Sequence, residues 1–120
     1  MAWTGIPKSA LQFEYKPGTI PFIYRSTVGD TGVCIGERHC CSSCGCNILL
    51  QYYLYPEKSH VAAPTIVKND FAMPKVGCHI WTRHTPCWHK IPDDGVKRDY
   101  EFGDDFQAKV DEYVSEHRKS

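Results

Sequence analysis

The chain has no surplus of charge of either sign: 14 lysines and arginines stand against 14 aspartates and glutamates over 120 residues. Without a net field, nothing in the composition favours nucleic acid or an anionic membrane surface as a partner. No apolar run approaches the roughly 18 residues of a membrane-spanning helix, so no membrane partner is expected. Met1-Ala2-Trp3-Thr4-Gly5-Ile6-Pro7 lacks the basic and apolar regions of a secretory signal. Repeats, low-complexity tracts and linkers are missing as well, and the length suits one domain over residues 1–120 better than two. No Ser/His/Asp arrangement, glycine-rich phosphate loop or paired-carboxylate motif is present to suggest a catalytic class.

Cysteine, by contrast, is abundant, with seven in the chain. In the absence of a secretory signal these read as thiols or ligands in a reducing, cytoplasmic setting rather than as a disulfide framework. The decisive stretch is Arg38-His39-Cys40-Cys41-Ser42-Ser43-Cys44-Gly45. Cys41 and Cys44 have the spacing that holds one face of a tetrahedral ion, and a glycine directly after the second permits the tight turn of a zinc knuckle. A thioredoxin-like redox pair fits less well, because no helical pattern starts at the second cysteine. A tetrahedral ion needs four ligands. No second C-x-x-C, and no C-x-C outside this cluster, supplies the other two.

Hydrophobic patterning predicts a mainly β fold closed by one helix. Strands are expected over 10–15, 22–26, 47–54, 59–63 and 78–82, separated by Gly and Pro punctuation. Near the C-terminus, Phe106, Val110, Tyr113 and Val114 recur on one helical stripe, with Asp104 and Gln107 placed as a capping box. That helix is expected to pack on the sheets.

Other residues carry weaker signals. Arg38 is placed to neutralise a thiolate cluster or to hold an acidic group. His39 adjoins the knuckle as a ligand or as a donor to one, and Cys34 offers a third ligand across a turn at Gly36. Cys40, Cys46, Cys78 and Cys87 read as thiols packed inside the fold. His79 faces a pocket or fills the core, and Trp81 and Trp88 bracket a segment suited to lining an apolar pocket.

Taken together, these residues resemble the family of glutathione-dependent formaldehyde-activating enzymes and the centromere protein V domain. The matching parts are Tyr24-Arg25-Ser26, then Arg38 to Gly45, then Ile48 to Tyr53. His79-Ile80-Trp81, Pro86-Cys87-Trp88 and Ile91-Pro92-Asp93-Asp94-Gly95 follow in the same order. The resemblance implies a β-tent-like fold of several coiled β-sheets, an arrangement shared with a Rab-binding chaperone. It implies a structural Zn2+ held by an early C-x-C and the later C-x-x-C-G, and Cys41 and Cys44 fall on the later pair. For full members it implies a second, N-terminal set of cysteines holding a catalytic zinc. Met1 to Gly5 align just after that set, so the catalytic ligands have no counterpart here and the chain reads as N-terminally truncated.

Three functional readings follow from the resemblance. The first is a carbon–sulfur lyase acting on a small-molecule thiol adduct of the glutathione type, with Arg38, His79 and Trp81 shaping the substrate pocket. A zinc-supported binding module that has lost the chemistry is the second. The third, a variant of the second, is a homodimer in which Cys41 and Cys44 of both chains complete one four-thiolate site.

Overall fold

A computed structural model describes residues 1–14, 16, 21–68, 70, 72 and 75–118. Its centre is a five-stranded antiparallel sheet. The strands are β1 (Trp3–Pro7), β2 (Phe22–Thr27), β3 (Cys34–Cys40), β4 (Asn47–Tyr52) and β5 (Lys58–Ala62), in the order β1-β5-β4-β3-β2. Strands β2 to β5 form a meander, and β1 pairs with β5 at the far edge. A second, two-stranded parallel sheet joins β6 (Cys78–His79) to β7 (Lys97–Arg98). One helix, α1 (Asp104–His117), closes the described chain. The mainly β architecture with a C-terminal helix is thus as the sequence predicts.

The register explains why these segments pair. Gly5, His60, Leu50, Arg38 and Tyr24 stand opposite one another in a row across all five strands, so they share a face. Thr4, Val61, Leu49, His39 and Ile23 form the equivalent row on the other face. Leu49 and Leu50 are both 4% exposed, so both faces are covered at the centre of the sheet. At the β2 edge, cover fails, and Phe22, Ile23 and Tyr24 are all exposed.

Helix α1 packs where Val33, Ile35 and Val110 bury one another, flanked by Tyr52, Phe102, Phe106 and Tyr113. Val110 is completely buried, as its place in the helical stripe requires. Asp104 and Asp105 lie in the first turn, where carboxylates complement the positive end of the helix dipole. Their side chains do not cap it, however. Gly103 occupies the cap position, and Gln107 Nε2 donates to Asp111 Oδ1 at 2.9 Å, so the expected capping box does not form.

Several local expectations are corrected. Of the strand expected over 10–15, Ala10 ends a one-turn 3₁₀ helix, residues 11–14 form no strand, and Tyr15 lies outside the described residues. Gly36 is no turn but the middle of β3, where its missing side chain lets Gln51 approach; a Cβ there would lie 2.6 Å from the Gln51 carbonyl oxygen. The strand expected over 78–82 stops at His79, because Trp81 takes a left-handed conformation (φ 57°, ψ 32°) and starts a one-turn helix over Thr82–His84. Cys46, Cys78 and Cys87 are exposed, whereas Cys40 is buried as expected. Trp88 is 83% exposed and is not part of the lining of the cavity described below.

Candidate functional site

Two features of the fold carry chemistry: the turn between β3 and β4, and a cavity on the helix-bearing face of the sheet.

The turn is built by Gly45, whose φ of +74° is a conformation that side chains rarely adopt. Its amide donates to the Cys41 carbonyl at 2.8 Å, and the Cys41 amide donates to the Cys46 carbonyl at 2.8 Å. The loop therefore closes tightly, aiming backbone N–H groups at the Cys41 sulfur. The amide of Cys44, then that of Ser43, holds the Cys41 thiol below its usual range, which favours the thiolate. Cys41 is half-buried and Cys44 exposed.

The residues around this pair are engaged elsewhere. Cys40 Sγ donates to Asn47 Oδ1 at 3.5 Å, and Cys46 Sγ to the Asn47 carbonyl at 3.6 Å. Cys34 Sγ turns to the Gly36 carbonyl at 3.4 Å, so it does not reach back as a third ligand. His39 Nε2 donates to Glu37 Oε1 at 3.1 Å, and its ring stacks on Phe13. Among the described residues, which include every Cys, His, Asp and Glu of the chain, no three are grouped to hold an ion. Cys41 and Cys44 thus suit two of the four positions around zinc, and one chain does not fit the whole coordination shell.

The cavity encloses about 390 Å³, within the range of small-molecule sites. Trp3, Leu50, Tyr52, Ile80, Trp81 and Phe102 make most of its apolar wall, with Ser26 and Thr27 at its polar margin. Among the described residues, Arg38 is its one lining residue with a charged side chain. The guanidinium lies 5.5 Å from the centre of the Trp3 ring, and no carboxylate pairs with it among the described residues. Burial pushes the Tyr52 phenol up, with the positive charge of Arg38 opposing.

Trp81 reaches the cavity through its strained backbone. A tryptophan at positive φ costs on the order of 1–3 kcal/mol and persists only where its surroundings hold it. Here its amide donates to the Glu101 carbonyl at 2.9 Å, and its ring meets Phe102 edge-on at 4.9 Å. His79, by contrast, lies outside the cavity lining. Its Nε2 donates to Asp94 Oδ2 at 2.8 Å; that bond, then one from the Val96 amide, holds the Asp94 carboxyl below its usual range.

The structure therefore brings Arg38 and Trp81 together in one lining, leaves His79 out of it on a hydrogen bond to Asp94, and sets Cys41 and Cys44 just past the end of the strand that carries Arg38. Trp3, Tyr52 and Phe102 complete the cavity, and sequence reasoning did not single them out as site residues. Only Tyr52 had a legible signal, in the aromatic end of the β4 segment. Trp3 and Phe102 are joined by pairing and helix docking across nearly the whole chain. Comparison with family models, curated proteins and solved structures yields no match to this chain.

Proposed function

We propose that this chain is a zinc-supported binding domain whose cavity takes a small anionic thiol adduct of the glutathione type. The observation that carries this reading is the unpaired Arg38 guanidinium at the wall of an aromatic cavity. A cation without a carboxylate partner in an apolar wall is poised for an anionic group, and its planar fork suits a carboxylate in particular. Trp3 and Trp81 would flank the ligand's apolar or sulfur-bearing part, and Ser26 and Thr27 offer hydroxyls at the margin. A cytoplasmic setting, where thiols stay reduced, belongs to the same proposal. Among the described residues no helix is long and apolar enough to cross a membrane.

The cavity lining offers no thiol, imidazole or carboxylate, so the residues in view support binding more directly than turnover. The carbon–sulfur lyase activity implied by the resemblance is the second reading, favoured by the ordered set of motifs from Tyr24 to Gly95. In that chemistry, bound zinc would hold a thiolate or polarise a carbonyl.

The test is calorimetric titration with S-methylglutathione, a stable thiol adduct, against the wild type and Arg38→Met. Loss of a charged hydrogen-bonding partner should weaken binding about tenfold or more. Equal affinity of the two proteins, or no binding to either, would remove the cavity assignment. NMR of the zinc-loaded protein with glutathione and formaldehyde reads turnover separately, and a rate equal to buffer leaves a binding domain without the lyase.

A further inference from the structure

We propose that Trp81 selects the ligand, so that the cavity takes thiol conjugates whose sulfur carries a bulky apolar group rather than a one-carbon one. This rests on the cavity reading above and narrows it to a class of substrate.

The backbone of Trp81 points to this role. Among the described residues it is the one non-glycine position at positive φ, a region where a bulky aromatic is strained. Hydrogen bonds on both sides hold it there. The Trp81 amide donates to the Glu101 carbonyl at 2.9 Å, and the His84 amide donates to the Trp81 carbonyl at 3.1 Å. The amide and the hydroxyl of Thr82 both donate to the Asp99 carbonyl, at 3.1 and 3.0 Å. Glycine would take this conformation freely, so the fold of the segment does not itself call for an indole. Nor does the core, because Trp81 is half-buried and stands outside the cluster that Val33, Ile35 and Val110 build with the helix. What the strained backbone achieves is to set the ring in the cavity wall.

That wall is a broad apolar surface. Trp81 meets Phe102 edge-on at 4.9 Å and Phe102 meets Tyr52 edge-on at 6.3 Å, so three rings run together, with Leu50 and Ile80 adding aliphatic surface. Against it the described lining sets one cationic side chain, Arg38, and no acidic one. A glutathione conjugate carries two carboxylates and an ammonium group. The cavity can pair one of the carboxylates, and the other charges must stay in water. The group on sulfur is then what remains to cover the aromatic wall. A one-carbon group covers little of it, whereas an alkyl chain or a ring removes far more apolar surface from water.

Calorimetric titration of the full chain with S-methyl-, S-butyl- and S-benzylglutathione tests this. Each fully buried methylene contributes about fourfold, so S-butylglutathione should bind about tenfold or more tighter than the S-methyl conjugate. Trp81→Gly removes the indole and relieves the backbone together, and should bind all three conjugates with nearly equal affinity. Trp88→Ala, a change outside the lining, should keep the wild-type preference. Should Trp81→Gly fail to fold, Trp81→Asn, which also tolerates a left-handed backbone, takes its place. Equal affinities across the series in the wild type, a preference undiminished without the indole, or one lost in Trp88→Ala would each overturn selection by Trp81 while leaving the cavity reading standing. No binding of any conjugate removes that reading and this one with it.

Discussion

His60 shows how a single residue ties the sheet to solution conditions. It sits between Gly5 and Leu50 in the cross-strand row, and its ring meets Tyr52 edge-on at 5.4 Å. Gly5 stands against it, where even a Cβ would make only ordinary contact, 3.6 Å from the imidazole Nε2. Its Nδ1 is buried without a hydrogen-bond partner among the described residues. Burial, then the charge of Lys58, holds its pKa below the usual value. The unfolded chain therefore binds this proton more readily than the folded one. Stability from this residue is in place above about pH 6.5 and falls as acid carries the pH through the lower folded value. Urea unfolding at pH 7.5 and pH 5.5 should show a lower midpoint in acid, and His60→Phe should reduce that difference. An equal difference in the variant would place the acid sensitivity elsewhere. None of this was legible in the sequence, where His60 has no distinguishing neighbours.

At the scale of elements, β3 is the informative case. It holds Arg38 in the cavity wall and leads directly into the cysteine turn, yet it was not anticipated as a strand. Its central Gly36 and the polar run Glu37-Arg38-His39 hide the alternation that a half-buried strand usually shows. The register skips Ile35 where β2 and β3 shift, a bulge that leaves Ile35 free to join the core with Val33 and Val110. Gly36 then meets the β4 backbone too closely for any side chain. Gly36→Ala should therefore destabilise the fold by roughly 1–3 kcal/mol, read as a lower urea midpoint at unchanged slope. Unchanged stability would mean that β4 can move aside. By contrast, β4 and α1 were legible, since an unbroken β-forming run and a helical stripe each carry their own signal. The two-residue β6 was overestimated because Trp81 looks like a strand residue and its left-handed backbone is set by contacts with Phe102 and Glu101.

For the molecule as a whole, the thinness of the core matters most. The Cα radius of gyration is 15.9 Å, with extents of 42 × 41 × 29 Å. A compact chain of this length would have a radius of about 13.6 Å. The flattened shape leaves few fully buried apolar side chains and many half-buried ones. Domains with little core commonly rely on a bound metal for part of their stability. Zinc bound only to the folded protein should add about 2.7 kcal/mol at 100 times its dissociation constant, raising the thermal midpoint by several degrees. A thermal scan with and without chelator should show this for the wild type and not for Cys44→Ser. A zinc-independent midpoint would show that the fold does not draw on the metal. The cavity was only partly legible at this scale, because its walls come from β1, β2, β3, β4, the Ile80-Trp81 segment and the stretch leading into α1.

The cysteine turn opens straight into β4, the central strand of the sheet, with neighbours on both sides and cover above and below. Amides so enclosed exchange with solvent chiefly when the entire molecule opens, while the β1 and β2 margins fray far more often. An ion held there, as the proposed function has it, would be moored to the last part of the chain to let go. Its escape should thus keep the slow clock of global opening and remain indifferent to the restless borders of the sheet.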